Sequence, residues 1–275
     1  MSKRILITGA ATGFGKGAAL ELARRGHTVI AGVQIAPQAT ELMAAAADAG
    51  VDLDVIILDI TDDDDRNAAF ANDVDVLINN AGVMESGPAA EIPMARVRKN
   101  FEVNVFGTLA MIQGIAPQMV ERGAGKIINV TSMGGLITVP FVSIYTATKH
   151  ALESITEGLK FELAGTGVEI CTINPGAYGT GFNDRGAETM FRWLDPATSL
   201  TRPEVFQAFM EGGGLDDQLD PQGLVDAMVS LAEEEGSKFR NVVPAEIIPW
   251  IKAIDEITWE ADQDTVLFLD PTSLG

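Results

Sequence analysis

The chain has 275 residues, of which 47% are hydrophobic and 21% charged, and its formal net charge is −20. This composition is typical of a globular protein with one large α/β domain or two small ones, and it excludes a disordered chain. The strong negative charge repels phosphate backbones and anionic lipids, so we expect neither nucleic-acid nor membrane partners.

The chain contains a single cysteine, Cys171, so an internal disulfide is impossible. This cysteine usage is typical of a reducing compartment, and we expect a cytoplasmic protein. The apolar run after Arg4 is too short for a secretory signal peptide, and no apolar run is long enough to cross a membrane.

The first part of the chain alternates between short apolar runs and longer segments with helical spacing. The apolar runs predict buried strands at residues 4–8, 28–33, 53–58, 74–78, 126–131 and 168–173, and a seventh at 241–248. The other segments predict helices at residues 14–25, 37–49, 62–71, 93–122 and 143–164. Continuously apolar strands that alternate with helices predict a doubly wound, mostly parallel α/β sheet covered on both faces.

The pattern changes after Pro175. Residues 177–220 mix glycines with large apolar side chains and predict an irregular substrate-binding loop or lid. Residues 249–275 follow as a C-terminal extension. Repeats and low-complexity linkers do not stand out, so we expect one domain over residues 1–275.

An acidic run at residues 62–65 follows Thr61. Thr61 is a candidate cap for a helix whose first turn accepts negative charge. Further ligands are not spaced around the run, so we do not expect a metal site.

A glycine-rich turn joins the first strand to the first helix. Glycines stand at positions 9, 13 and 15, with Thr12 and Phe14 between them. Such a turn lets backbone N–H groups approach a pyrophosphate, and the helix N-terminus adds partial positive charge. The alternative is a tight turn without a ligand.

The Gly-x3-Gly-x-Gly spacing resembles that of the short-chain dehydrogenase/reductase family, in its compact branch. Further matches follow in order along residues 8–180, at Asn79-Asn80-Ala81-Gly82, Asn104, Ser132, Tyr145-x3-Lys149, and Pro175-Gly176 with Thr180. The resemblance implies a Rossmann-like sheet of seven strands in the order 3-2-1-4-5-6-7.

The resemblance implies a catalytic role for four of these residues. Tyr145 is the expected general acid/base, Ser132 the anchor of the substrate oxygen, and Lys149 the residue that tunes Tyr145 and binds the ribose. Asn104 is expected to hold a water that links Lys149 to solvent. Independently, Tyr145 and Lys149 share one helix face, and an ammonium nearby lowers the pKa of a phenol from its ordinary value of about 10.

The resemblance also implies a nicotinamide dinucleotide and its contacts. The expected cofactor-binding residues, besides Tyr145 and Lys149, are Gly9, Thr12, Gly13, Phe14, Gly15, Val33, Gln34, Asp59, Ile60, Asn80, Ala81, Gly82, Pro175, Gly176 and Thr180. An acid at the end of the second strand binds the ribose of NAD, and an arginine there binds the extra phosphate of NADP. Val33 and Gln34 are neither, and because positive charge is missing we expect NAD(H) rather than NADP(H).

Apolar side chains that flank Ser132 or lie in the irregular loop are candidates for the substrate pocket. They are Met84, Met133, Leu136, Phe141, Tyr178, Phe182, Met190 and Trp193. A mostly apolar pocket favours a secondary alcohol or ketone of medium size. Ordinary core packing is the alternative for each of them.

Two other functions remain open. The first is a cofactor-binding sensor that regulates a partner, although such a protein has no need of Ser132, Tyr145 and Lys149. The second is a sugar-nucleotide epimerase or dehydratase, which has a different glycine spacing and a larger C-terminal region. Members of the family form dimers or tetramers, so a homodimer or homotetramer is expected through the helices at 93–122 and 143–164.

Overall fold

The computed structural model describes residues 2–212 and 218–262. Parallel strands form one sheet in the order β3-β2-β1-β4-β5-β6-β7, which confirms the expected order. The strands are β1 (Arg4–Ile7), β2 (Thr28–Val33), β3 (Asp54–Ile57), β4 (Val76–Asn79), β5 (Gly125–Val130), β6 (Val168–Pro175) and β7 (Arg240–Val243). The strand order reverses between β1 and β4, and the crevice at such a switch point is where ligands bind in open α/β sheets.

Helices cover both faces of the sheet. They are α1 (Gly13–Arg24), α2 (Ala36–Ala49), α3 (Asp63–Phe70), α4 (Met94–Phe101), α5 (Thr108–Arg122), α6 (Ser143–Glu162), α7 (Phe182–Glu188), α8 (Pro203–Gly212), α9 (Gln222–Glu233) and α10 (Ile248–Glu260). Successive strand side chains point to opposite faces, so Ile5 and Ile7 pack on the side of α1 and α9 while Leu6 packs on the side of α5.

The predicted helix at 93–122 is interrupted in the middle. A π-helical segment, Glu102–Gly107, separates α4 from α5 and carries Asn104. At Gly107 a Cβ would lie 2.9 Å from the backbone oxygen of Ile60, so the glycine allows the close approach of this segment to the loop after β3. Since π-bulges are rare and often occur at functional sites, the interruption makes Asn104 a candidate site residue.

The stretch Met94–Arg122 is also long and apolar enough to cross a membrane by length and composition, with half of its most apolar window buried in the fold. Five of its buried side chains pack against the sheet as part of the second core cluster: Met111, Ile112, Ile115, Ala116 and Met119. This packing is that of a core helix, which passes the same test of length and composition.

The C-terminal third is more regular than the sequence predicts. The segment at 177–220 contains α7 and α8, and α9 is not among the predicted helices. The predicted strand at 241–248 ends at Val243, and α10 begins at Ile248 and occupies the first half of the predicted C-terminal extension. Parts of the predicted lid and extension, residues 213–217 and 263–275, lie outside the described residues.

The cap of α3 is Asp62 rather than Thr61. The Asp62 carboxylate accepts hydrogen bonds from the backbone N–H groups of Asp64 and Asp65. The Thr61 hydroxyl instead donates to Asp59 at 2.7 Å. The acidic run is therefore a helix start, since negative charge near a helix N-terminus is stabilising.

Candidate active site

A cleft of about 360 Å³ opens at the carboxyl ends of the strands, at the switch point between β1 and β4. Of the residues expected to bind cofactor, the cleft is lined by Gly9, Thr12, Gly13, Phe14, Gln34, Asp59, Ile60, Asn80, Ala81, Gly82, Tyr145, Lys149, Pro175, Gly176 and Thr180. Gly15 and Val33 are not among the lining residues.

The glycines of the turn after β1 are required by close approaches. Gly9 has a φ of 65°, and a Cβ there would lie 2.7 Å from the Cα of Ala81. At Gly15 a Cβ would lie 2.5 Å from the backbone oxygen of Gly9. Gly15 therefore does not line the cleft, but its missing side chain lets the turn fold tightly.

The N-terminus of α1 faces this turn without a cap. The side chain of Thr12, the residue before the helix, makes no capping hydrogen bond, and the first turn holds no acidic residue. The first N–H groups of the helix are thus left to an external acceptor, and with the helix dipole they favour an anion. A dinucleotide pyrophosphate fits this cradle.

Thr8 joins the ends of β1 and β4 beneath the cleft. Its hydroxyl accepts hydrogen bonds from the backbone N–H groups of Asn80 and Ala81, both at 3.0 Å. The Asn80 amide donates in return to the carbonyl oxygens of Thr8 and Gly9. Thr8 is the first residue of the matched glycine motif, but it was not among the residues predicted to bind the cofactor.

Ser132 and Tyr145 meet at the far end of the cleft. Ser132 follows β5, and its hydroxyl accepts a hydrogen bond from the backbone N–H of Gly134 at 3.0 Å. Tyr145 lies in the first turn of α6, and its phenol is close enough to Ser132 for that hydroxyl to lower the pKa of Tyr145. The pair can therefore present two hydroxyl groups to one substrate oxygen.

Lys149 lies one turn further along α6 and is buried. Its Nζ donates to the carbonyl oxygen of Val130 at 2.9 Å and lies 5.7 Å from the centroid of the Tyr145 ring. Burial lowers the pKa of Lys149 to about 8, against the opposing charge of Glu153. Its charge is therefore adjustable near neutral pH.

The Tyr145 phenol remains protonated in this environment. Burial raises its pKa to about 12, and the hydrogen bond with Ser132 offsets only part of that rise. This is the opposite of the expected direction, because burial disfavours the charged phenolate. At neutral pH Tyr145 is thus ready to donate a proton.

Asn104 does not line the cleft but supports it from behind. Its side-chain oxygen accepts from the backbone N–H of Val83 at 2.8 Å, and its amide donates to the Val83 carbonyl and to the Thr148 hydroxyl. A Cβ placed on Gly82 would lie 3.4 Å from the Asn104 oxygen and 3.7 Å from the Lys149 nitrogen. Asn104 and Lys149 are therefore neighbours, and the water expected between them stays a prediction.

Gln34 and Asp59 form the opposite end of the cleft. The Gln34 amide donates to the Asp59 carboxylate at 2.8 Å, and the other carboxylate oxygen accepts from the backbone and the hydroxyl of Thr61. Val33 corrects the prediction: it is fully buried in the core cluster on the α1 side, because its side chain points to the same face as Val29 and Ala31. Gln34 is thus the first residue after β2 that lines the cleft.

The predicted substrate-pocket residues divide into two groups. Tyr178 and Phe182 line the cleft, where Phe182 lies 5.9 Å from the Tyr145 ring and Tyr178 packs edge-on against Phe14. The other six do not line the cleft. Met84 packs against Gly186, and Trp193 packs against Gly87. Phe141 packs against two phenylalanines of α8, Met133 and Leu136 pack in the cluster that includes α10, and Met190 is fully buried. Sequence position near Ser132 does not distinguish packing from lining.

Several lining residues were not among the predicted ones. They are Ala11, Gln38, Leu58, Val83, Lys99, Val103, Val130, Thr131, Asn183 and Arg185. Lys99 on α4 and Arg185 on α7 add positive charge, although the protein carries a net charge of −20. Within residues 2–212 and 218–262, no group of three or more His, Cys, Asp or Glu side chains could hold a metal ion.

Comparisons with known proteins extend the match beyond the motifs. The model of the short chain dehydrogenase family matches residues 3–190. The uncharacterized oxidoreductase YusZ of Bacillus subtilis (strain 168) is 33% identical over 250 residues, which cover 86% of this chain and 88% of that protein. A solved short-chain dehydrogenase from Streptomyces avermitilis is similar with a TM-score of 0.78 at 29% identity, covering 94% of each chain. A short chain dehydrogenase from Burkholderia cenocepacia J2315, solved in complex with NADP, has a TM-score of 0.72 at 27% identity and covers 96% of this chain and 98% of that one.

Proposed function

Because this chain belongs to the short-chain dehydrogenase family and is an oxidoreductase of that family, we propose that it interconverts a secondary alcohol and a ketone, or a primary alcohol and an aldehyde, with a nicotinamide cofactor. The observation that carries the proposal is the convergence of Ser132, Tyr145 and Lys149 in the same cleft as the glycine turn. Proton-transfer groups at one end and an anion cradle at the other suit a dinucleotide-dependent reaction.

In reduction, Tyr145 gives its phenolic proton to the carbonyl oxygen while Ser132 holds that oxygen by a hydrogen bond. The ammonium of Lys149 stabilises the phenolate that remains on Tyr145. In oxidation, the Tyr145 phenolate takes the proton back from the alcohol. The nicotinamide, when bound, supplies or accepts the hydride.

The cleft residues fit such a cofactor. The uncapped helix N-terminus and the glycine turn suit the pyrophosphate, and Lys149 suits the nicotinamide ribose. The residues proposed to hold the cofactor are Gly9, Thr12, Gly13, Phe14, Gln34, Asp59, Ile60, Asn80, Ala81, Gly82, Tyr145, Lys149, Pro175, Gly176 and Thr180, with Gly15 shaping the turn. Lys99 and Arg185 add positive charge for the phosphates.

The Gln34–Asp59 pair favours NAD(H) over NADP(H). Burial raises the pKa of Asp59, but hydrogen bonds from Gln34 and Thr61 outweigh it and leave the pKa below its ordinary value. Asp59 is therefore ionised at neutral pH, and its charge opposes a phosphate next to Gln34. The relative from Burkholderia cenocepacia was solved with NADP, which favours NADP for that protein and weighs against NAD(H) here.

Replacing Gln34 with arginine is expected to shift this preference. The introduced guanidinium would still reach Asp59 and would offer two N–H donors to a phosphate. The ratio of kcat/KM for NADPH to that for NADH should therefore rise about tenfold or more. Steady-state rates with both cofactors measure the ratio. The matched control is Gln222→Arg on α9, which adds the same charge outside the cleft lining. A wild-type enzyme that already prefers NADPH would contradict the assignment.

We propose a largely apolar substrate of medium size. Phe182 lies 5.9 Å from the Tyr145 ring, and Tyr178 is the other predicted pocket residue that lines the cleft. The test is a panel of ketones and secondary alcohols, screened with NADH, NADPH and their oxidised forms by the absorbance of the reduced nicotinamide. Turnover of apolar members supports the proposal. Tight cofactor binding without turnover of any member would favour the sensor instead.

We also propose self-association through α5 and α6. Apolar side chains on and near these helices are exposed, with Phe106 at 54%, Val120 at 38% and Phe161 at 69% of their surface. Family members are often oligomeric, and burying these residues against a second copy would remove apolar surface from water. Light scattering of the full chain should give the mass of a dimer or tetramer, and a monomer at micromolar concentration would contradict it.

A further inference from the structure

Glu153 lies directly behind the proposed catalytic pair. Tyr145, Lys149 and Glu153 follow one another at intervals of one turn on α6, so their side chains share one face. Glu153 is only 5% exposed, and it does not line the cleft. A buried carboxylate needs partners, because burying an unpaired charge is strongly unfavourable.

Both oxygens of the Glu153 carboxylate are fully engaged. One accepts from the Thr131 hydroxyl and from the Asn174 amide, each at 2.6 Å. The other accepts from the Arg240 guanidinium, at 3.2 Å from Nε and 3.1 Å from Nη2. A carboxylate that accepts from four donor atoms is held in one position.

These partners connect the carboxylate to the ends of three neighbouring strands. Thr131 precedes Ser132 after β5, Asn174 lies at the end of β6 beside Pro175, and Arg240 begins β7. The Asn174 amide also contacts the Ser132 carbonyl at 3.4 Å. The network therefore lies beneath the residues that carry the proposed chemistry.

The charges around Lys149 have opposing effects. Burial lowers the pKa of Lys149, and the Glu153 charge raises it. The remaining charged groups near the site are Arg240 on β7, which pairs with Glu153, and three that line the cleft, Asp59 after β3, Lys99 on α4 and Arg185 on α7. Of these, Arg240 is the one that pairs with the Glu153 carboxylate, one turn of α6 beyond Lys149.

We propose that Glu153 is a positioning residue that keeps Lys149 in its ammonium form, and that Arg240 weakens this effect by partly neutralising the carboxylate. The inference rests on the proposed function, in which that ammonium stabilises the Tyr145 phenolate. It assigns opposite effects to the two members of one ion pair. A merely structural ion pair would give both members the same effect.

The test compares Glu153→Gln with Arg240→Gln in the full chain. In Glu153→Gln the alkaline limb of the kcat/KM profile for ketone reduction should move down by about one pH unit, because the opposite charge is gone. In Arg240→Gln the limb should move up by a smaller amount, because the carboxylate then acts unopposed. Glu153→Asp keeps the charge and should keep the limb near its wild-type position.

The matched control is Glu169→Gln. Glu169 pairs with the buried Lys126 at 3.2 Å and lies outside the cleft lining, so the control removes an equivalent charge without moving the limb. The inference would be overturned if the alkaline limb of the kcat/KM profile did not move in Glu153→Gln. It would also be overturned if the limb moved in the same direction in Glu153→Gln and Arg240→Gln. Circular dichroism verifies that each variant is folded.

A second readout does not depend on turnover. Acetic anhydride modifies a neutral amine, so the extent of Lys149 acetylation against pH, followed by mass spectrometry, reports the ionisation of that side chain. The midpoint should fall in Glu153→Gln and rise in Arg240→Gln. If the wild type turns over no substrate but the midpoints still move in opposite directions, the proposed function fails, and the opposite effects of Glu153 and Arg240 on Lys149 stand. If the enzyme is active but the midpoints do not move, those opposite effects are refuted and the proposed function stands.

Discussion

Replacing Tyr145 with phenylalanine is expected to lower kcat for ketone reduction by about a hundredfold to ten-thousandfold, the range that general acid–base catalysis contributes. The substitution removes only the hydroxyl, so the ring contacts with Phe182 and Lys149 remain. Cofactor affinity should therefore change less than about threefold, since the glycine turn and the adenosine end are untouched. Stopped-flow rates and fluorescence titration with the reduced cofactor measure the two quantities.

Tyr178→Phe is the matched control, because these are the two tyrosines of the chain and both line the cleft. Tyr178 packs against Phe14 through its ring, so losing its hydroxyl should cost less than about tenfold in kcat/KM. Equal losses in the two variants would mean that the cleft needs both hydroxyls for shape or binding. Full activity in Tyr145→Phe would remove Tyr145 from the chemistry.

Replacing Lys149 with methionine is expected to lower kcat by about a hundredfold or more and to remove the alkaline limb of the pH profile. The wild-type limb follows from the sign of the shift. Because the pKa of Lys149 is lowered to about 8, the ammonium is present below that pH and is lost above it, while Tyr145 with a pKa of about 12 keeps its proton throughout. Reduction should therefore slow as the pH rises through about 8.

Lys126→Met separates this effect from the loss of any buried lysine. Lys126 is also buried and donates to the backbone oxygen of Glu234, but it lies outside the cleft lining. Its loss should lower the melting temperature and leave the pH profile unchanged, whereas Lys149→Met should flatten the profile. A wild-type rate that is constant between pH values of about 6 and 10 would contradict the role of Lys149, since an ammonium-dependent step must follow its titration.

The apolar runs predict the strands, and the resemblance to the family supplies their order, which the sheet confirms. The apolar runs and the Gly-x3-Gly-x-Gly turn are short-range signals, and in this fold all strand ends meet at one edge, so motifs far apart in sequence converge there. Tyr145 and Lys149 needed only helical spacing to be placed on one face. The direction of the Tyr145 pKa was predicted wrongly because burial, which decides it, depends on the folded surroundings.

Other features depend on contacts that no short pattern contains. Val33 and Gln34 are adjacent, and only the register of β2 shows that the first enters the core and the second enters the cleft. Ser86 holds helix α7 in place by hydrogen bonds to residues 186–189, about a hundred residues later in the sequence. One of them joins the Ser86 hydroxyl to the Gly186 carbonyl oxygen at 2.8 Å. The π-helical segment around Asn104 has the same hydrophobic spacing as an ordinary helix, so its position was not predictable.

The central claim is that Tyr145 protonates a carbonyl that receives a hydride in this cleft. The most direct measurement uses reduced cofactor with deuterium at the transferring carbon, incubated with the ketone panel, and mass spectrometry of the products. We predict an alcohol with deuterium on the carbinol carbon for the wild type and for Tyr178→Phe, and almost none for Tyr145→Phe. Alcohol without deuterium, or equal label transfer by Tyr145→Phe, would contradict the claim.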